Sequence, residues 1–183
     1  DKTGNSTLKV TWYYDNDMKS VASVKSDTEI NRTFVGGAQP DESVPANQPF
    51  SVVWEGDIYP LESGQYLLGV ETDGGVRLYV DGLQLIDDYN NSSLIKQNRP
   101  IVMEAGKPAK IRLEYRQGGQ GGQVQLKWSQ PSATTIAPQK LFDCVKNDGT
   151  TLILLGATET WMQAVAEYTN TVYSGYYNVG KNW

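Results

Sequence analysis

The chain is 183 residues long, 39% hydrophobic and 20% charged, with a formal net charge of −5, which suits one domain with a short appendage. The acidic balance and the lack of any Lys/Arg run argue against nucleic acid and against an anionic membrane surface. With no histidine and a single cysteine, Cys144, the usual zinc sites, Ser-His-Asp and Cys-His catalysis and an internal disulfide are excluded.

In chain order, residues 8–14 (Leu-Lys-Val-Thr-Trp-Tyr-Tyr) alternate as a strand does. The stretch from Asp15 to Pro49 is polar and rich in Gly, Pro and Asn, which predicts loop with short strand pieces. Phe50–Gly56 is a strand, and Ile58-Tyr-Pro60 leads to the most informative segment, Ser63–Gly82. There Tyr66–Glu71 and Val76–Val80 have period-two faces. They flank a tight Asp73-Gly-Gly75 loop, and Asp81-Gly82 suits a type I′ turn before a return strand at Leu83–Ile86. Asp87–Gln97 reads as polar loop, Pro100–Met103 as a short strand and Glu104–Pro108 as a turn. Lys110–Tyr115 and Gln123–Trp128 alternate cleanly around the glycine-rich Gln117–Gly122. Strands at this spacing, with turns between, describe an antiparallel β-sandwich.

After Phe142 the character changes. Thr158–Val172 carries apolar residues at Trp161, Ala164, Val165, Tyr168 and Val172, a helical period with threonine at the N-cap. Tyr173–Trp183 is aromatic and rich in Gly and Asn, without a pattern. The expected organisation is therefore residues 1–142 as the sandwich and 143–183 as an extension or the start of a following domain. Cys144 reads as a small buried hydrophobe, since no histidine can activate it. The longest apolar run, Leu152–Leu155, is far too short to span a bilayer; no signal peptide is visible, and the abrupt opening at Asp1 is compatible with the removal of one. Asn5, Asn31 and Asn91 begin N-x-Ser/Thr tripeptides, common enough by chance to settle nothing about source.

Four segments carry a family resemblance. They are Phe50-Ser-Val-Val-Trp-Glu-Gly-Asp-Ile-Tyr-Pro60; Ser63-Gly-Gln-Tyr66 with Thr72–Gly82; Glu104-Ala-Gly106 before Ile111–Tyr115; and Leu126-Lys-Trp128 with Ile136–Leu141. In order and spacing, residues 8 to 142 resemble the protective-antigen (PA fourteen) domain family. The resemblance implies an all-β, jelly-roll-like antiparallel sandwich, here followed by a short partly helical extension. In the sugar-binding members it also implies two consecutive aspartates, joined by a cis peptide, that hold calcium against sugar hydroxyls. A glycine-rich loop completes that site. Asp73 falls at the first aspartate and Gly74 at the second, so one carboxylate is missing. Gln117, Gly118, Gly119 and Gln120 fall in the second loop, whose carbonyls would join Asp73 as metal ligands.

The expected function is a non-catalytic module of a secreted or cell-surface protein that binds a glycan, with calcium assistance left open by Gly74. Its candidate ligand-binding residues are Asp73, Gly74, Asp88, Tyr89, Gln117, Gly118, Gly119 and Gln120, and its candidate metal ligands Asp73, Gly118 and Gly119. Tyr89, among polar neighbours, is the candidate solvent-facing aromatic. The alternative is a structural or protein-interaction module packed on neighbouring domains, which Gly74 favours. Catalysis is not expected: Asp57, Glu62, Glu71 and Glu114 form no motif and read as solvated charges.

Overall fold

The computed structural model describes residues 7–131, 149–157 and 173–183. Along the chain the strands are β1 (Leu8–Tyr13), β2 (Val21–Asp27), β3 (Asn31–Phe34), β4 (Phe50–Pro60), β5 (Gly64–Asp73), β6 (Gly75–Val80) and β7 (Leu83–Asp88). Then come β8 (Leu94–Met103), β9 (Ala109–Gln117), β10 (Gly122–Ser129), β11 (Gly149–Leu155), β12 (Tyr173–Asn178) and β13 (Lys181–Asn182). No helix occurs among the described residues, and the expected helix at 158–172 lies outside them.

The strands form two sheets. One has eight strands, ordered β12-β11-β4-β9-β6-β7, with β1 beside β4 and β2 beside β1; the other has five, ordered β13-β10-β5-β8, with β3 beside β10. Alternation explains why they pack face to face. Val52 and Trp54 of β4, Val76 and Leu78 of β6, and Leu113 and Tyr115 of β9 turn inward from the first sheet. Leu68 and Val70 of β5 and Val124 and Leu126 of β10 answer from the second. Burying each such side chain contributes roughly 1.5–3 kcal/mol. At one end the core is aromatic: Phe34 stacks on Tyr115 at 5.4 Å, and Trp12 meets Phe34, Phe50 and Trp54 within 6.4 Å.

The hairpin β6–β7 turns as its sequence predicts, with positive φ at both Asp81 and Gly82. Two segments differ from expectation. Asp87–Gln97 is not one loop, because β7 runs to Asp88 and β8 begins at Leu94. Among the described residues strand β8 is an edge, paired only with β5 and largely exposed, so no apolar face marks it.

The pattern-free tail also forms strands. In parallel pairings β11 joins β4 at Tyr59 and Pro60, β12 joins β11, and β13 joins β10 at Lys127 and Trp128. Strand β1 pairs with β4 only from Ser51 to Glu55, and β3 with β10 only from Gly122 to Gln125. The tail therefore fills the remaining length of both edges. Val179 fastens it, donating its N–H to Leu154 O and accepting from Ile30 N.

Candidate functional site

The site begins at the turn between β5 and β6, which Gly74 makes alone. Its φ is +138°, and a Cβ there would lie 2.5 Å from Tyr115 Cε2. Glycine is therefore required twice over, by backbone conformation and by space. The Tyr115 hydroxyl donates to the Asp73 carbonyl (2.7 Å) and accepts from Gln117 Nε2 (2.8 Å). Burial pushes that phenol well above its ordinary pKa, so it stays a donor. The position of the missing aspartate is thus occupied by an aromatic ring rising from the core.

Gln117 also accepts from Gly121 N (3.0 Å), which fastens the glycine-rich loop between β9 and β10 to the same point. The β7–β8 loop closes the third side. Asn91 donates to Gly74 O (2.9 Å), and a Cβ on Gly75 would lie 2.0 Å from the Tyr89 carbonyl. Together these loops border an open pocket of about 450 Å³ whose rim includes Asn16, Asp73, Asn90, Asn91, Arg116, Gln117 and Gln120. Its character is polar: amides of both hydrogen-bonding senses, exposed glycine backbone, one carboxylate and one guanidinium.

Of the eight candidate ligand-binding residues, Asp73, Gly74, Tyr89, Gln117, Gly118 and Gln120 line this pocket. Two do not. The Asp88 carboxylate accepts from Gln97 Nε2 at 2.8 Å, because its place in β7 aims it at β8. Gly119 packs against the backbone of Gln48. Tyr89 is present in an unexpected role. Its ring lies between two guanidinium carbons, Arg77 at 3.7 Å and Arg116 at 4.0 Å. Both faces are covered, so it cannot serve as a stacking platform for a sugar. Burial raises its pKa despite the two cations.

Arg116 was invisible as a site residue in the sequence, although alternation from inward-facing Tyr115 places it outward beside the glycine loop. It donates from Nε to Tyr89 O (2.8 Å), from Nη2 to Asn90 Oδ1 (2.7 Å) and from Nη1 to Asn16 O (3.4 Å). No local signal ties Asn16, in the β1–β2 loop, to this place.

Calcium, the metal that the resemblance implies, takes about six to eight oxygens and binds tighter with more anionic ligands. Among the described residues of the pocket, Asp73 is the only acid, and Arg116 lines the same pocket. The carbonyls of Asp73 and Gly74 already accept from Tyr115 and Asn91. This donor set does not fit a calcium ion, and no cluster of three acidic, histidine or cysteine ligands occurs among the described residues.

The reading of Glu62 and Glu114 as solvated charges also needs correction, since both are 5% exposed. Glu114 accepts from Arg77 Nε at 2.5 Å and from Arg112 Nη2 at 2.9 Å, and Arg112 reaches on to Glu55 at 2.7 Å. Burial of Arg112 opposes its charge, but Glu114 and Glu55 raise its pKa overall. This ladder on the outward face of β4, β9 and β6 ends at Arg77, under the Tyr89 ring.

The described strands thus form a two-sheet sandwich with a polar pocket among the loops at one end. The chain belongs to the PA14 domain family, whose pattern matches residues 4–141. It is 36% identical over 121 residues to the anti-sigma-I factor RsgI3 of Acetivibrio thermocellus, a match covering 66% of this chain and 18% of that protein. An anti-sigma factor domain-containing protein from Clostridium clariflavum superposes with a TM-score of 0.65 at 31% identity, over 71% of this chain and 44% of that one. The chain therefore spans less than half the length of these relatives. The PA14 sugar-binding domain from an RTX adhesin shares the fold, with a TM-score of 0.57 at 14% identity over 71% of this chain and 93% of that domain.

Proposed function

We propose that the chain is a non-catalytic carbohydrate-binding module of an extracellular or cell-surface protein, taking a glycan in the pocket between the β5–β6, β7–β8 and β9–β10 loops. The observation that carries this reading is the meeting of Asp73 with Asn90, Asn91, Gln117 and Gln120 around one open, polar pocket. A sugar presents hydroxyls that both donate and accept, and amides beside a carboxylate answer both. Among the described residues Asp73 is the single acid of that pocket, whereas glycoside hydrolysis ordinarily uses a pair of carboxylates. The likeness to a sugar-binding domain of the same fold adds support.

Binding on this reading does not depend on calcium. The test is a glycan-array screen, with hits titrated by calorimetry with and without chelator, for the natural chain and Asp73→Ala. Saturable binding that ignores chelator and drops at least about tenfold in Asp73→Ala supports the reading. Unchanged affinity in that variant refutes the site, and chelator-sensitive binding refutes the calcium-independent form. The likeness to anti-sigma factors favours a second placement of the same pocket, as the input end of a longer regulatory protein rather than an enzyme's anchor.

A further inference from the structure

We infer that the pocket selects an acidic sugar, a uronate, and that Arg116 is the residue that holds its carboxylate; this rests on the carbohydrate-binding reading above. The neighbouring arginines of the outward face are neutralised, Arg77 by Glu114 and Arg112 by Glu114 and Glu55. Arg116 is not. Among the described residues no carboxylate comes within ion-pair distance of it, and its hydrogen bonds go to neutral oxygens of Tyr89, Asn90 and Asn16. Each terminal nitrogen makes one such bond, which leaves an N–H donor on both uncommitted. The bonds of its terminal nitrogens lie at the exposed rim of the pocket, where the uncommitted donors can take the oxygens of a ligand's carboxylate.

The guanidinium is also held in place. Its central carbon lies over the Tyr89 ring, 4.0 Å from the centroid, and its Nε bond fixes rotation about the side chain. Planar recognition of a carboxylate needs this kind of preorganisation. Asp73 decides between anion classes. Its charge on the same pocket repels a bare polyanion such as phosphate, yet it accepts hydrogen bonds from hydroxyls. A ligand carrying both hydroxyls and one carboxylate satisfies Asp73 and Arg116 together, whereas a neutral sugar leaves Arg116 uncompensated.

The experiment compares uronate oligosaccharides with their methyl esters, which keep the shape and remove the charge. Calorimetry on the natural chain is expected to show the acid form at least about tenfold tighter, with added salt eroding only that preference. Arg116→Gln is expected to bring the two ligands to equal affinity, and Arg116→Lys to keep part of the preference, both with unchanged melting cooperativity. Equal affinity of acid and ester for the natural chain, or an undiminished preference in Arg116→Gln, overturns the inference. Neutral glycans bound while uronates are not would sink it alone and leave the sugar reading intact; no glycan of either kind would sink both.

Discussion

Replacing Gly74 by alanine tests the claim that a core tyrosine occupies the space of the family's second aspartate. The new Cβ would lie 2.5 Å from Tyr115 Cε2 and 2.8 Å from both Cζ and the hydroxyl. Holding an L-residue at φ +138° costs roughly 1–3 kcal/mol. Displacing a packed ring costs about 1–3 more, and losing the Tyr115–Asp73 hydrogen bond about 1. The expected loss is thus roughly 3–7 kcal/mol, a large share of the roughly 5–15 typical of a folded domain. Urea unfolding of Gly74→Ala, Tyr115→Leu and the double variant reads it directly. Leucine lacks the far atoms of the ring, so in that background Gly74→Ala should cost only the backbone share, about 1–3 kcal/mol. The cycle should then show a coupling of roughly 2–4 kcal/mol between the two positions, the ring and hydrogen-bond shares together. Additive effects, or a loss below about 0.5 kcal/mol for Gly74→Ala alone, would mean that the ring does not exclude a side chain here.

Two further outcomes follow from the charges and phenols. Glu114→Gln removes the anion shared by Arg77 and Arg112 and should cost about 2 kcal/mol, below the 3–5 of a fully buried pair because both guanidiniums keep some solvent. The same variant should loosen the Tyr89 loop, seen as faster amide exchange at residues 89–92; a stability change within about 0.5 kcal/mol would show the ladder to be ornamental. At high pH, burial raises the Tyr66 pKa to about 12 and Tyr115 higher still. A raised folded pKa favours the neutral phenol, so this stability is whole below about pH 10 and is lost as pH climbs through the folded values. Phenolate absorbance should therefore rise in two stages, with these two rings ionising only on unfolding; early titration of every tyrosine would contradict their burial.

Much of the sandwich was readable because one face of each central strand meets the core. Val76, Leu78 and Val80 announce β6 by period two alone, and Asp81-Gly82 carries the positive φ that its turn demands. Edge and tail strands lack that signature. Strand β8 offers Lys96, Gln97, Asn98 and Arg99 in sequence, and its existence rests on backbone pairing to β5. The tail strands β12 and β13 likewise owe their conformation to parallel partners outside their own sequence neighbourhood, β11 and β10. A local pattern cannot report a ladder whose other half lies elsewhere in the chain.

The site divides along the same physical line. Asp73 and the Gln117–Gly122 loop could be placed together because both end strands that alternation identifies. What the loops do to each other could not. Tyr89 looked like an aromatic offered to solvent because its sequence neighbours are polar, yet Arg77 and Arg116 claim both its faces from adjacent strands. Gly74 looked like a simple loss of a metal ligand, yet the ring that replaces the ligand belongs to Tyr115, an apparent core residue of β9. The two changes point the same way. A tyrosine hydroxyl holds the Asp73 carbonyl from below, and a guanidinium braced by the β7–β8 and β1–β2 loops places hydrogen-bond donors and positive charge on the pocket. On the function proposed above, fixed side chains would take the place of a bound cation in this pocket, and its selectivity would follow Arg116.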